Sequence, residues 1–166
     1  MMRKKPMLAY PVSNKPIDYS KPVFMQPKLD GVRCVIQYEK RVQPREDVVV
    51  AYSRTGKEWK NIQHILEQLK PFFQKYPNVI LDGELYNHDF KDNFEQIISM
   101  VRKTKPTDEA RAESAENVQF HCYDMIDETM TFEDRYNFVF DKLRDSYSVR
   151  TVVTTPIPNK YEADEM

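Results

Sequence analysis

Between Val32 and Tyr38 the apolar residues Val32, Cys34, Ile36 and Tyr38 alternate with the polar Arg33, Gln37 and Glu39. A two-residue period puts one set on each side of a pleated backbone, so the segment reads as a half-buried strand and commits the chain to a sheet. Lys28 to Gly31 would be the turn that leads into it. A charged, proline-containing stretch from Glu39 to Asp47 separates it from Val48–Tyr52, which reads as the second strand of a hairpin closed by Ser53–Gly56. Strand character returns at Val79–Tyr86 and Val118–Ile126, and a last short strand is expected over Arg150–Thr154.

Helices are interleaved with these strands. Ile62, Ile65, Leu66 and Leu69 fall at helical spacing, and Pro71 is expected to stop or kink that helix. Phe94, Ile97, Ile98 and Val101 predict a second helix, followed by a polar stretch over 103–117 read as a mobile loop with some helical tendency. Thr131 stands three residues before Asp134 as an N-cap, ahead of a stripe of Phe132, Tyr136, Val139, Phe140 and Leu143. Residues 1–22 carry Pro6, Pro11, Pro16 and Pro22, which predict an extended lead-in. The fold class is therefore α+β, mostly antiparallel sheet with interleaved helices, and order is expected from Val23 onward.

With 166 residues the chain suits one domain or part of one. Its 25 Lys and Arg against 26 Asp and Glu leave a formal charge of -1, so any nucleic-acid contact must be a local patch. The two cysteines, Cys34 and Cys122, lie inside apolar runs and read as buried thiols. No stretch has the length of a membrane span and none resembles a signal peptide, so the protein is expected in the cytoplasm with no membrane partner.

Three short segments concentrate the polar chemistry. Lys28-Leu29-Asp30-Gly31-Val32-Arg33 gathers two cations, a carboxylate and a glycine at the strand entrance, and alone it reads equally well as an ordinary charged turn. Ser53-Arg54-Thr55-Gly56 ends the next strand. Leu81-Asp82-Gly83-Glu84-Leu85 sets a glutamate in an apolar strand, where a carboxylate needs a partner. His64, His88 and His121 share no ligand spacing and read as structural or solvated.

Together these segments resemble the covalent nucleotidyltransferases, and among them the ATP-dependent DNA ligases of phage or viral type. Residues 28–33 match Lys-x-Asp-Gly-x-Arg, 53–56 match Ser-Arg-x-Gly, 82–84 match Asp-Gly-Glu, and Phe120-His121-Cys122-Tyr123-Asp124 resembles the segment in which an aromatic residue precedes Asp at a strand end. The resemblance implies an incomplete nucleotidyltransferase (ATP-grasp-like) adenylation domain over 23–166, with no OB domain. It implies that Lys28, once neutral, attacks the α-phosphate of ATP and holds AMP as a phosphoramidate; an arginine could not lose the proton. Glu84 would accept from a ribose hydroxyl and Tyr123 would stack on adenine, although Tyr123 also reads as a core aromatic. Arg33 and Arg54 would hold phosphate or sugar, and Asp30 would assist with metal or with the attacking 3′-hydroxyl. Arg135 reads as a phosphate contact or as a surface ion pair. ATP and Mg²⁺ are the implied cofactors, with no pattern that names the metal ligands, and nicked double-stranded DNA is the implied partner.

The family's later Glu-Gly and Lys-x-Lys strands do not follow Asp124. A truncated or split ligase of low activity is the expectation, with exposed strand edges and room for a second chain that supplies the missing C-terminal motifs. Lys28 stands too near the start for a separate N-terminal DNA-binding domain, so a minimal ligase is implied. RNA ligases, mRNA-capping guanylyltransferases and a non-catalytic nucleotide- or DNA-binding remnant are the alternatives; Arg33 and the Ser-Arg-x-Gly segment favour a DNA ligase.

Overall fold

The computed structural model describes residues 19–20, 23–41, 46–90 and 94–157. The predicted lead-in over 1–22 therefore lies outside the described residues apart from Tyr19 and Ser20. Five strands form one sheet in the order β3-β2-β4-β5-β6: β2 (Val32–Arg41), β3 (Glu46–Tyr52), β4 (Ile80–Tyr86), β5 (Gln119–Met125) and β6 (Val149–Thr151). Every pairing is antiparallel except β5 with β6. A separate two-stranded ribbon pairs β1 (Val23–Met25) with β7 (Thr155–Ile157). The α+β expectation holds, as does the β2–β3 hairpin. The expected last strand begins one residue earlier, at Val149, and ends at Thr151.

One face of the five-stranded sheet forms the core. Cys34, Ile36, Leu81, Leu85, Phe120 and Cys122 alternate onto it and meet Ile65, Leu69 and Phe73 of α1 (Gln63–Lys75) and Ile97, Met100 and Val101 of α2 (Phe94–Val101). Alternation sends Arg33, Val35, Gln37, Asp82, Glu84 and His121 to the other face. Val35 and Gln37 are buried there too, so β2 is covered on both sides at its centre and is not the half-buried strand its sequence suggests.

Three expectations need correction. Pro71 does not end α1, which continues to Lys75. Proline frees only the carbonyl four residues earlier, and both Glu67 and Pro71 are on the exposed side where water satisfies it. The last turn is held from the other side by buried Phe73 and by Phe72 against Tyr76. The polar stretch 103–117 contains a helix, α3 (Asp108–Asn117), capped by Thr107, whose hydroxyl accepts from the Ala110 N–H at 3.1 Å. Finally, Phe140 of α4 (Phe132–Lys142) is 59% exposed and leaves the apolar stripe, while Phe138 packs against the core. Thr131 caps α4 as expected, accepting from the Asp134 N–H at 3.2 Å.

The sheet carries one irregularity. Asp82 pairs with Asp124 but Gly83 pairs with Cys122, so Tyr123 is an extra residue on β5. A bulge of this kind re-aims a side chain and breaks the strict alternation of the strand. Core packing therefore passes from Cys122 to Met125. Gly83 makes the close strand approach possible. A Cβ there would stand 2.3 Å from the His121 carbonyl oxygen and 2.8 Å from a ring carbon of Phe120. Gly83→Ala is expected to lower unfolding free energy by about 2–3 kcal/mol, since backbone cannot yield as a flexible side chain would. Urea denaturation checks this, and a loss near zero would mean the bulge relaxes freely.

Candidate active site

The sheet's second face gathers the motif residues at the bulge. Arg33 on β2 stands opposite Glu84 on β4, and Glu84 stands opposite His121 on β5. The Arg33 guanidinium grips Asp82 with Nε to Oδ1 at 2.7 Å and Nη2 to Oδ2 at 2.6 Å, a bidentate pair largely out of water. Burial works against the arginine's charge, and Asp82 more than offsets it, leaving the guanidinium pKa raised. Burial also pushes the Asp82 carboxyl up, against the pull of Arg33.

The bulged Tyr123 joins this cluster from above. Its ring lies 5.3 Å from the Arg33 guanidinium carbon, a cation–π stack, and its hydroxyl donates to Glu84 Oε1 at 3.3 Å. Burial raises the Tyr123 phenol far above its usual range, so it stays protonated as the donor. The backbone N–H of Gly31 also faces Glu84 and favours its carboxylate. Gly31 gets that close because it lacks a Cβ, which would stand 2.3 Å from the Leu85 carbonyl oxygen. One carboxylate thus collects a donor from the first motif, a donor from the fourth, and the nearby charge of Arg33.

Burial pushes the Glu84 carboxyl up from 4.5 to about 7, against the Tyr123 hydroxyl, Arg33 and the Gly31 N–H. A carboxyl raised on folding contributes stability while both states hold the proton, and that stability is lost as pH climbs from about 4.5 through about 7. Glu84→Gln should therefore raise the unfolding free energy at pH 8 by on the order of 2 kcal/mol, with little gain at pH 5. Equal gains at both pH values would contradict a buried, ionisable Glu84.

The segment around Lys28 is irregular backbone between β1 and β2. Gln26 pins it: its Nε2 donates to the Tyr123 carbonyl at 2.8 Å and to Thr154 Oγ1 at 2.7 Å. Lys28 follows two residues later, exposed, and makes no hydrogen bond or ion pair with the described residues. Three residues of chain reach at most about 11 Å, so the Lys28 backbone stands within that distance of the Gly31 backbone. Asp30 is exposed in the same segment. Arg54 is exposed in the turn after β3, which starts one residue past Tyr52, the partner of Val35. Buried Trp59 ties that turn to β2, its Nε1 donating to the Arg33 carbonyl at 3.2 Å. The structure therefore joins Arg33, Glu84 and Tyr123 directly, and leaves Lys28, Asp30 and Arg54 on the adjoining loops.

Arg135 is not a surface charge. It pairs with Asp124 through Nε at 2.8 Å and Nη2 at 3.3 Å, and its Nη1 donates to the Met130 carbonyl at 2.8 Å. Both side chains are mostly buried, and the clamp fixes β5 one residue beyond Tyr123. Sequence reasoning missed the roles of Asp82, Gln26 and the Gly31 amide, which depend on strand register. Among the described residues no three His, Cys, Asp or Glu side chains come together as a metal cage. Asp82 and Asp124 are committed to arginines.

The description "ATP dependent DNA ligase domain" matches residues 6–166. The chain belongs to that family. This ligase domain matches no curated protein. Among solved structures it resembles a Lig E DNA ligase described as binding DNA with a minimal scaffold. That likeness has a TM-score of 0.67 and 17% identity, and covers 99% of this chain and 56% of that one. It also resembles Pmar-Lig, with TM-score 0.65, 18% identity, and coverage of 95% and 37%. An archaeal ATP-dependent RNA ligase gives 0.55, 18%, 99% and 40%. At these identities the likeness establishes the nucleotidyltransferase-like fold, and the ligase domain spans about half the length of the Lig E chain. No helix among its described residues is long and apolar enough to cross a membrane.

Proposed function

We propose that this ligase domain carries the adenylation chemistry of a DNA ligase, with Lys28 as the nucleophile and ATP as the donor. What supports the reading is the approach of the Gly31 amide and the Tyr123 hydroxyl to Glu84, with the lysine three residues of chain before Gly31. In the proposed reaction the Lys28 amine gives its proton to solvent and its lone pair attacks the α-phosphorus. The N–P bond forms, the bond from that phosphorus to the β-bridging oxygen breaks, and pyrophosphate leaves with the electron pair. A 5′-phosphate oxygen at a nick then displaces the lysine from the same phosphorus, and the neighbouring 3′-hydroxyl displaces AMP to seal the strand.

The nucleotide-binding roles follow from the cluster. Glu84 accepts a ribose hydroxyl in exchange for one of its present donors. Adenine stacks on the Tyr123 face opposite Arg33, whose position Asp82 fixes. Arg54 takes phosphate or sugar from the turn beside β2, and Asp30 orients the attacking 3′-hydroxyl. ATP enters as its magnesium complex, the ion being carried by the triphosphate.

Incubation with ATP labelled at the α-phosphate, against ATP labelled at the γ-phosphate, tests this. Retention of the α label alone supports lysyl-AMP; retention of both or of neither is the contrary result. Excess GTP should not compete, which separates the reading from a capping enzyme. The archaeal RNA ligase shares the fold, so duplexes nicked in DNA or in RNA are compared, and sealing of the DNA nick is expected.

A further inference from the structure

The sheet row that holds Arg33 and Glu84 does not stop there. His121 is the partner of Glu84, and Arg150 on β6 is the partner of His121, so all four stand in line across neighbouring strands on one face. Strands lie about 4.8 Å apart, which sets Arg150 roughly 10 Å from Glu84. We propose that Arg150, with exposed His88 near the same imidazole, holds a backbone phosphate of the polynucleotide strand offered to the adenylated lysine.

Several observations favour a phosphate. Arg150 is exposed and forms no ion pair with the described residues, although it sits on a chain of net charge -1 where an arginine readily finds an acid. Asp145, whose charge acts on His121, has its Oδ1 engaged by the Thr151 N–H and hydroxyl, both at 2.9 Å. His121 adds no competing charge: burial, then Arg150, pushes its pKa down to about 4, and its Nε2 pairs with Gln119 Oε1 at 3.0 Å. The Tyr86 ring packs edge-on against His121 at 5.1 Å, and its hydroxyl meets His88 Nδ1 at 3.1 Å. An uncharged imidazole and an aromatic ring between Arg150 and the His88 ring form a strip that a sugar-phosphate chain can follow.

The inference rests on the ligase reading, and its test separates the two. Binding of a nicked duplex with a pre-adenylated 5′ end is followed by fluorescence anisotropy over a salt series, so the lysine chemistry is bypassed. Arg150→Glu should weaken binding roughly tenfold and reduce the slope of log affinity against log salt by about one. Arg150→Lys should keep most of the affinity. Arg111→Glu, on α3 away from this row, serves as the charge control and should change little. Labelling of Lys28 from ATP should be unaltered in Arg150→Glu. The proposal is overturned if Arg150→Glu binds with unchanged slope, if Arg111→Glu weakens binding equally, or if the unaltered chain binds no duplex at low salt. Failure of Lys28 labelling with normal duplex binding would sink the adenylation reading and leave this one standing.

Discussion

Asp82→Ala is expected to destabilise the chain by about 3 kcal/mol, the largest stability effect of any single change in the site. The carboxylate is nearly fully buried and both its oxygens are held by Arg33. Its removal takes the bidentate counter-charge from a guanidinium facing Tyr123 in a low-dielectric setting, and breaking one side of such a pair costs about 3–5 kcal/mol. The Arg33 side chain keeps 22% of its surface, which places the effect at the lower end. The loss should shrink when Arg33→Met is added, because the buried guanidinium charge goes with it. A urea titration of the two single variants and the double one measures this. A loss below about 1 kcal/mol would class the pair with exposed salt bridges.

Lys28→Arg is expected to lower covalent AMP capture by more than about 10⁴-fold, to background. Removal of a nucleophile abolishes the covalent step whatever the remaining groups contribute. Arginine keeps the charge and most of the length but does not deprotonate in proteins, so electrostatic attraction for the triphosphate survives while bond formation does not. Equilibrium binding of ATP should therefore stay within a few fold of the unaltered chain. Parallel loss of binding and capture would instead assign Lys28 a passive role. The stability of the variant should not change, since Lys28 is exposed and without partners among the described residues.

The parts of the fold legible in the sequence were those whose burial repeats along the chain. Val32 to Tyr38 and Val48 to Tyr52 announce their hairpin through alternation, and Phe94, Ile97, Ile98 and Val101 announce α2 through helical spacing. α3 gives no such signal. It touches the interior through Ala110 and Ser114, and is held by Asn61, whose Nδ2 donates to the Ala110 and Met100 carbonyls, and by Ser114 donating to the Asn61 carbonyl. A helix fixed by hydrogen bonds to a buried amide has no apolar stripe to read. Its Ala and Glu content and the Thr107 cap were the available cues.

The candidate site was legible as types and hidden as contacts. All three glycines of the chain fall in its motifs, at 31, 56 and 83, and two of them permit backbone approaches that no Cβ would allow. That pattern marks the segments but not who meets whom. Glu84 was seen to need a partner; its donors come from Gly31, some fifty positions earlier, and from Tyr123, placed by a bulge that local sequence does not specify. Asp82 lies beside Glu84 in the motif and on the same face, yet its bond to Arg33 depends on β2–β4 register.

The account's central claim is that one lysine, Lys28, becomes bonded to AMP. The measurement is peptide mapping by mass spectrometry after long incubation of the chain with ATP and Mg²⁺, alongside Lys28→Arg. The predicted result is an AMP adduct confined to the peptide containing Lys28 and absent from the variant. An adduct on another lysine, an adduct that persists in the variant, or no adduct at all would contradict it.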